Sequence, residues 1–409
     1  MAFSLRLSSP LQQYAIVTGN YWAFTLTDGA LRMLVVLHFH ALGYSPLQIA
    51  LLFLFYEIFG VVTNLIGGWL GARIGLNRTM NIGLATQVIA LLMLAVPATM
   101  LSVPWVMAAQ ALSGIAKDLN KMSAKSAVKQ LVPSDAQGTL YRWVAALTGS
   151  KNALKGVGFF LGGVLLSSFG FKGSVVAMAI VLAIIWCASI LLLQRDLGRA
   201  KSKPKFRDIF SKSRAVNILS AARLFLFGAR DVWFVVALPV YLSVAFGWDH
   251  WRVGGFLAAW VIGYGIVQAL APNITKQRGD SVPGRSAAVM WAFLLALIPA
   301  VIALGLEQSL PIAPVLLGGL MLFGVFFAIN SSLHSFLIVN YASEDGVSLD
   351  VGFYYMANAL GRLLGTVLSG WIFQSAGLEV CLWISALFIA VAAGVSVALP
   401  NHPAMPEVS

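Results

Sequence analysis

The chain has 409 residues, 59% of them hydrophobic and only 10% charged, with 27 Lys and Arg against 15 Asp and Glu for a formal net charge of +12. A soluble domain carries roughly 25% charged residues, so an ordinary soluble fold is excluded. In a soluble chain that positive balance would suggest nucleic acid; here it raises the question of which side of a membrane holds the charge, and no nucleic-acid partner is expected.

Apolar runs bounded by turn and charge signals fall at 13–38, 46–71, 79–100, 104–130, 139–168 and 173–194. After a break, six more fall at 216–246, 252–274, 287–307, 312–340, 349–374 and 379–399. A membrane-spanning helix needs about 20 apolar residues, so twelve spans use nearly the whole length. Met1 to Pro10 lacks the charged start, short apolar stretch and cleavage site of a signal peptide, and the first span is expected to stay in the membrane. Cys187 and Cys381 each sit inside an apolar run and imply no disulfide framework.

The one long connection, Arg195 to Arg214, holds Arg195, Arg199, Lys201, Lys203, Lys205, Arg207, Lys212 and Arg214 against Asp196 and Asp208. A basic mid-chain loop belongs in the cytoplasm. Loops on its side add Arg6, Arg73, Arg78, Lys129, Arg142, Lys276, Arg278 and Arg285, whereas the opposite loops hold Lys172 and Arg252. Both termini are then cytoplasmic, as an even number of spans requires. The chain also echoes itself. Leu42-Gly43-Tyr44, running to Ile49, returns as Phe246-Gly247-Trp248, running to Val253, at an offset of 204; Gly158-xxx-Gly162 with Val164-Leu165 returns as Gly361-xxx-Gly365 with Val367-Leu368, at 203. Small-xxx-small spacing is common wherever membrane helices pack closely, but the two offsets agree with each other and with the mid-chain loop. The expected architecture is all-α and polytopic, with six-helix halves at 1–194 and 216–409 joined by a basic linker at 195–215. Such internal symmetry belongs to transporters, whose site is expected between the halves near the bilayer midplane.

An ionisable group at the bilayer centre costs about 3 kcal/mol or more, so each one needs a reason. The first span holds Asp28 and Arg32 and the second Glu57; the fourth holds Lys117, Asp118, Lys121 and Lys125, and the fifth Lys151 and Lys155. The seventh holds Arg223, Arg230 and Asp231, the tenth His334 and the eleventh Arg362, while spans 3, 6, 9 and 12 carry no interior charge. Every third helix can thus face lipid while the other eight enclose a polar interior. This pattern is similar to the major facilitator superfamily. So is the stretch from Gly68 to Arg78, which resembles that superfamily's glycine-rich basic loop in Gly68, Arg73, Gly75 and Arg78, with Ala72 where an acid is usual. The resemblance implies the two-half facilitator fold and a gating role for those four residues.

Nine basic residues lie within the spans against four acids, Asp28, Glu57, Asp118 and Asp231. Asp28 and Arg32 are four apart on one helix face, where side chains can meet. Lys117, Lys121, Lys125 and Lys129 also repeat every four, a stripe drifting by only about 40° per step, and Lys151 and Lys155 repeat the spacing. Lys125 and Lys129 also suit a cytoplasmic helix end reaching headgroups. Lys117, Lys151 and Arg230 lie near the centres of their spans and call for an anion with phosphate-like oxygens, arginine forming paired bonds and lysine acting as a point charge. Asn330, His334, Tyr354, Asn358 and Arg362, with Tyr264 and Gln268, supply polar groups either to the same cavity or to interhelical hydrogen bonds. His334 reads equally as a substrate donor, a proton relay or a packed neutral ring. Glu57 has no partner within its own helix; it and Asp28 are the candidate proton carriers, unless Glu57 pairs with a lysine across the cavity. His38 and His40 sit at a helix end without further ligands, so no metal is expected. The acids are scattered over four helices and the histidines isolated, so no catalytic residues, cofactor or enzyme activity are expected either.

Two stretches carry a more specific likeness. Asn20 to Arg32 (NYWAFTLTDGALR) and Ser113 to Lys125 (SGIAKDLNKMSAK) resemble the ArsJ organoarsenical efflux permeases. The resemblance implies export of 1-arseno-3-phosphoglycerate across the cytoplasmic (inner) membrane. That compound forms when glyceraldehyde-3-phosphate dehydrogenase uses arsenate in place of phosphate, so the implied functional partner is that enzyme and the implied outcome arsenate resistance. A substrate charged at both ends suits two separated cation clusters: Lys117, Lys121, Lys151 and Lys155 for one, Arg32 or Arg230 for the other. Two isolated cysteines do not suit capture of trivalent arsenic by clustered thiolates. Alternating access, driven by proton exchange through Asp28 or Glu57, is the implied cycle, and nothing asks for more than a monomer. An organophosphate or sugar-phosphate exchanger would want the same cations; a drug exporter or a polytopic membrane enzyme fits them less well.

Overall fold

The structure, a computed structural model, describes residues 9–44, 52–133, 135–193, 197–201, 204–206, 213–248, 250–275 and 282–400. Among them are helices and no strand, as a chain in lipid requires when each backbone group must find its partner within its own segment. The helices are α1 (Pro10–Ala41), α2 (Leu54–Ile74), α3 (Leu76–Leu94) and α4 (Val103–Leu131). Two long helical runs, Gln137–Leu192 and Val347–Ser396, are each broken by one glycine, Gly170 (φ 66°) and Gly377 (φ 84°). A side chain would strain both positions, and each break turns one run into two spans. The first run gives α5 (137–169) and α6 (171–192). After the linker come α7 (Arg214–Ala245), α8 (His250–Ile274), α9 (Arg285–Glu307) and α10 (Pro314–Tyr341), and the second run gives α11 (347–376) and α12 (378–396).

Seven of the described helical stretches are long and apolar enough to cross a membrane, and the two long runs among them hold two spans each. α1, α3 and α4 have the length but are more polar. The helices lie where the spans were expected, most to within about three residues; the span expected at 46–71 is described as helix from Leu54, its first residues lying outside the described ones, and that expected at 79–100 ends at Leu94. Large apolar side chains such as Phe160, Val301 and Trp371 face outward, which suits lipid and not water.

The chain divides into two compact units. One comprises Met1–Ala136, Ser150–Ser211 and Ser343–Met356; in it α4 packs against α1, α2 and α3. The other comprises Gln137–Gly149, Lys212–Ala342 and Ala357–Ser409; in it α10 packs against α7, α8 and α9. Its core is rich in rings, with Trp233, Trp260, Phe323 and Phe327 stacked edge to face or offset.

The loop between α2 and α3 is built on Gly75, whose φ of 101° reverses the chain within a single residue. Gly68 lies against α11: a β-carbon there would sit 2.5 Å from the Ser348 carbonyl oxygen, and Ser348 Oγ donates to the Gly68 carbonyl at 2.7 Å. Arg73 and Arg78 are exposed, the guanidinium of Arg73 lying 5.0 Å from the Trp69 ring centre. The linker is docked on this loop. Leu76 N donates to Leu197 O and Ala200 N to Ala72 O, each at 2.8 Å, and Trp69 Nε1 donates to Pro204 O at 3.1 Å. Lys201 N also donates to Asp345 Oδ1 at 2.8 Å. The Ala72 position, where an acidic side chain is usual, therefore makes its contact through the main chain. Of the charges counted for orientation, Arg6, Arg195, Asp196, Lys203, Arg207, Asp208, Lys212, Lys276 and Arg278 lie outside the described residues, as do residues 45–49 of the first repeat echo and 249 of the second.

Candidate functional site

Glycine contacts set where the buried charges meet. On α5, a β-carbon at Gly158 would lie 2.8 Å from the Leu26 carbonyl and 3.1 Å from Gly29 Cα, so α1 and α5 touch backbone to backbone. Asp28 and Arg32 then face α2. Asp28 is buried and accepts from Tyr56 Oη at 2.7 Å, while Arg32 Nη2 bonds Glu57 Oε1 at 3.0 Å and its guanidinium lies 5.0 Å from the ring centres of Phe53 and Tyr56. The spacing of Asp28 and Arg32 invites a pair within α1; instead each finds a better partner one helix away, because Tyr56 and Glu57 are adjacent on α2 and meet the two positions together. Glu57, expected to lack a partner within its own helix, pairs with Arg32 of α1.

The α4 stripe forms as spaced. Asp118, 1% exposed, lies between two ammonium groups: Lys121 Nζ is 2.5 Å from Oδ1 and Lys117 Nζ is 3.8 Å from Oδ2. Gly60 makes room, since a β-carbon there would lie 3.0 Å from Asp118 Oδ2. Lys117 Nζ also sits 3.8 Å from the centre of the Tyr56 ring, a cation–π contact. Further along, Tyr355 serves two lysines: Lys121 and Lys125 lie 4.8 and 4.7 Å from its ring centre, and Lys125 Nζ donates to its hydroxyl. On α5, Lys151 and Lys155 are half-buried, with Lys155 Nζ 5.8 Å from the Phe159 ring centre.

A second cluster occupies the other unit. Asp231, fully buried, accepts from Arg230 Nε at 2.6 Å on Oδ1 and from Arg362 Nε at 3.0 Å on Oδ2, and Arg230 Nη2 pairs with Oδ1 as well. Deeper in the helix packing, Arg223 donates through Nε to Asn358 Oδ1 at 2.9 Å and through Nη1 to Ser331 Oγ at 3.3 Å, with its guanidinium 3.8 Å from the Phe227 ring centre. Gln268 donates to the same Ser331 hydroxyl at 3.0 Å. His334 is buried on α10, and its Nδ1 has no hydrogen-bond partner among the described residues.

Not every expected site residue lies among these charges. The Asn330 amide donates to the carbonyls of Trp291 and Phe326, at 2.8 and 2.9 Å, which ties α10 to α9. Tyr354 is fully buried, while its neighbour Tyr355 meets the lysines. His38 stacks on Phe171 at 4.2 Å, and the described residues hold no group of three metal-ligating side chains. Four residues that sequence reasoning had not assigned to the site belong to the clusters: Tyr56, Asp118, Tyr355 and Asp231. The two acids were visible as buried charges, but the tyrosines left no signal beyond adjacency to Glu57 and Tyr354.

A family model described as "Major Facilitator Superfamily" matches residues 17–283. "Major facilitator superfamily domain-containing protein 10" of Mus musculus is 32% identical over 108 residues, which cover 26% of this chain and 23% of that protein's length. Among solved structures, the proton:xylose symporter XylE superposes with a TM-score of 0.75 at 12% identity, covering 94% of this chain and 95% of that one. The human organic anion transporter MFSD10 (TETRAN) gives 0.73 at 18% identity over 94% and 99%, and the E. coli fucose:proton symporter FucP gives 0.73 at 13% over 95% and 98%. At these identities the likeness is one of fold.

Proposed function

We propose that this chain, which belongs to the major facilitator superfamily, works as a multi-pass membrane transporter and not as an enzyme, and that its cargo is an organic anion with phosphate-like oxyanion groups. The observation that carries this reading is the sign of the charge away from the span ends: nine cations stand there against four acids, and Lys117 and Lys121 share the single carboxylate of Asp118. A membrane interior left net positive is stabilised by an arriving anion. That MFSD10, similar to this chain in fold and in a short stretch of sequence, is described as an organic anion transporter supports the same class.

Within that class we assign 1-arseno-3-phosphoglycerate, exported across the cytoplasmic membrane. The residues of α1 and α4 that resemble the ArsJ permeases are those that carry Asp28, Arg32 and the lysine stripe, so the likeness and the buried charge coincide. Lys117, Lys121, Lys151 and Lys155 recognise oxyanion groups in one unit, with Arg32 beside them; Arg230 and Arg362 do so in the other, and His334, Tyr354, Asn330 and Asn358 furnish the surrounding polar packing. Asp28 and Glu57 carry the coupling proton through an alternating-access cycle of two six-helix halves with both termini in the cytoplasm, and the Gly68–Arg78 loop gates it. Glyceraldehyde-3-phosphate dehydrogenase supplies the cargo, and its removal from the cell gives arsenate resistance. Lysines bind phosphate and arsenate esters alike, which favours ordinary organophosphate exchange as the second reading.

Everted membrane vesicles decide between them. Arsenic uptake that requires arsenate, glyceraldehyde-3-phosphate, the dehydrogenase and its nicotinamide cofactor together, and falls to background when Lys117 is replaced by alanine, is the expected result. Absence of arsenic uptake in energised vesicles that exchange phosphate esters would move the assignment to the organophosphate exchanger.

A further inference from the structure

The offset of 203 that relates Gly158 and Gly162 to Gly361 and Gly365 has a structural counterpart in each unit. Gly158 abuts Leu26 and Gly29 of α1, and Gly365 abuts α7, where a β-carbon would lie 2.6 Å from the Gly228 carbonyl and 3.0 Å from Asp231 Cβ. The matched glycines fix how α1 corresponds to α7: Gly158 meets the Leu26 carbonyl as Gly361 meets that of Leu224, and Gly162 meets the Ala30 carbonyl as Gly365 meets that of Gly228. So α1 maps onto α7 at an offset of 198, and Asp231 matches Met33, not Asp28. The two buried carboxylates therefore sit at unmatched positions, and their partners differ as well. Asp28 accepts from a neutral phenol, Tyr56. Asp231 accepts from two guanidinium groups, Arg230 and Arg362. By these offsets Arg230 matches Arg32, whereas Arg362 matches Phe159, so the second guanidinium on the carboxylate belongs to one half alone.

Exposure gives this cluster a front and a back. The side chain of Asp231 is 0% exposed, that of Arg230 14% and that of Arg362 35%, so the carboxylate lies behind and the guanidinium groups in front. Two guanidinium groups held this close repel each other; one carboxylate with an oxygen for each joins them and leaves the trio net +1. Each guanidinium presents its N–H donors in a rigid planar fork that matches an oxyanion, and Phe227, Phe234 and Phe327, at 5.1 to 5.7 Å, confine that of Arg230. We propose that Asp231 is a positioning residue that fixes Arg230 and Arg362 side by side as a receptor for a phosphate-type oxyanion group of the cargo. The proposal rests on the anion-transport reading.

The test is binding of 3-phosphoglycerate, the arsenate-free ester, to the purified full-length protein in detergent by calorimetry. Asp231→Asn is expected to raise Kd at least 10-fold, and Asp231→Glu, which keeps both acceptors, to stay within about 3-fold of the parent; a merely structural ion pair predicts no such recovery of affinity in step with the charge. A parent that binds and an Asp231→Asn variant with unchanged Kd would overturn the positioning role and leave anion transport standing. A parent that binds neither 3-phosphoglycerate nor inorganic phosphate would overturn both. Should Asp231→Asn not fold, Arg362→Lys carries the test, because it keeps the charge while losing the fork: Kd is expected to rise about 10-fold, and an unchanged value overturns the receptor.

Discussion

Replacing Gly68 with alanine adds one methyl group at a contact that cannot give way locally. The new β-carbon would lie 2.5 Å from the Ser348 carbonyl oxygen and 3.1 Å from Gly352 Cα, both backbone atoms of α11, so a helix has to move. Overpacking of this kind costs about 1–3 kcal/mol. If the cost falls on the packed arrangement of α2 against this part of α11 and not on the separated one, the ratio of packed to separated states falls by a factor of about 5–150, at 1.4 kcal/mol per tenfold. Ser348 reports that ratio directly, since it is 1% exposed and donates to the Gly68 carbonyl. With Cys187 and Cys381 replaced by serine, Ser348→Cys should react with a maleimide 5–150 times faster in the Gly68→Ala background than in its parent. A cysteine at Ser385, buried on α12, should show no change and so exclude global unfolding. Equal rates at Ser348, within a factor of two, would refute the view that this glycine sets the helix contact.

Two further outcomes follow from the unit that holds α4. Asp118→Asn leaves Lys117 and Lys121 without their shared carboxylate and should destabilise the protein by about 3–5 kcal/mol, seen as a lower thermal midpoint in detergent; adding Lys121→Met should recover part of the loss, and a double variant no more stable than the single would refute the clamp. Arg32 and Glu57 are 28% and 38% exposed, so their bond should be worth no more than about 1 kcal/mol: a double-mutant cycle of Arg32→Gln and Glu57→Gln on unfolding should give a coupling of that size, and strict additivity would remove the pair.

What the residues disclosed in advance was whatever lies along one helix. The twelve apolar runs, the four-residue spacing of the α4 lysines, and the glycine repeat at Gly158 and Gly361 are all periodic signals, and the structure keeps each of them. Partners on different helices were not legible in the same way. Asp28 and Arg32 have the spacing of a pair, yet Arg32 bonds Glu57 and Asp28 bonds Tyr56, because which positions of α1 and α2 face each other is decided by tertiary packing that no spacing rule along one helix reports. Tyr56 and Tyr355 passed unnoticed for a related reason: an aromatic ring in an apolar run looks like packing until a lysine from another helix is found over its face. Asp231 was visible as a buried acid, but its role depends on Arg362, 131 positions away.

The contact between the linker and the α2–α3 loop has a consequence for how this protein tolerates change. Where a carboxylate at position 72 would answer to salt and to a single charge reversal, the bonds from Ala200 to Ala72 and from Leu76 to Leu197 use main-chain groups that every residue except proline provides. Ionic strength hardly screens such bonds, and replacing any of the four side chains leaves donor and acceptor in place. An alanine scan would register the bonds made by the Trp69 and Asp345 side chains but pass over these two; proline at position 200, which has no N–H to give, would expose the one to Ala72. Sequence drift at these four positions is therefore compatible with unchanged main-chain bonds, and the freedom gained by their side chains comes from contacts that do not depend on them.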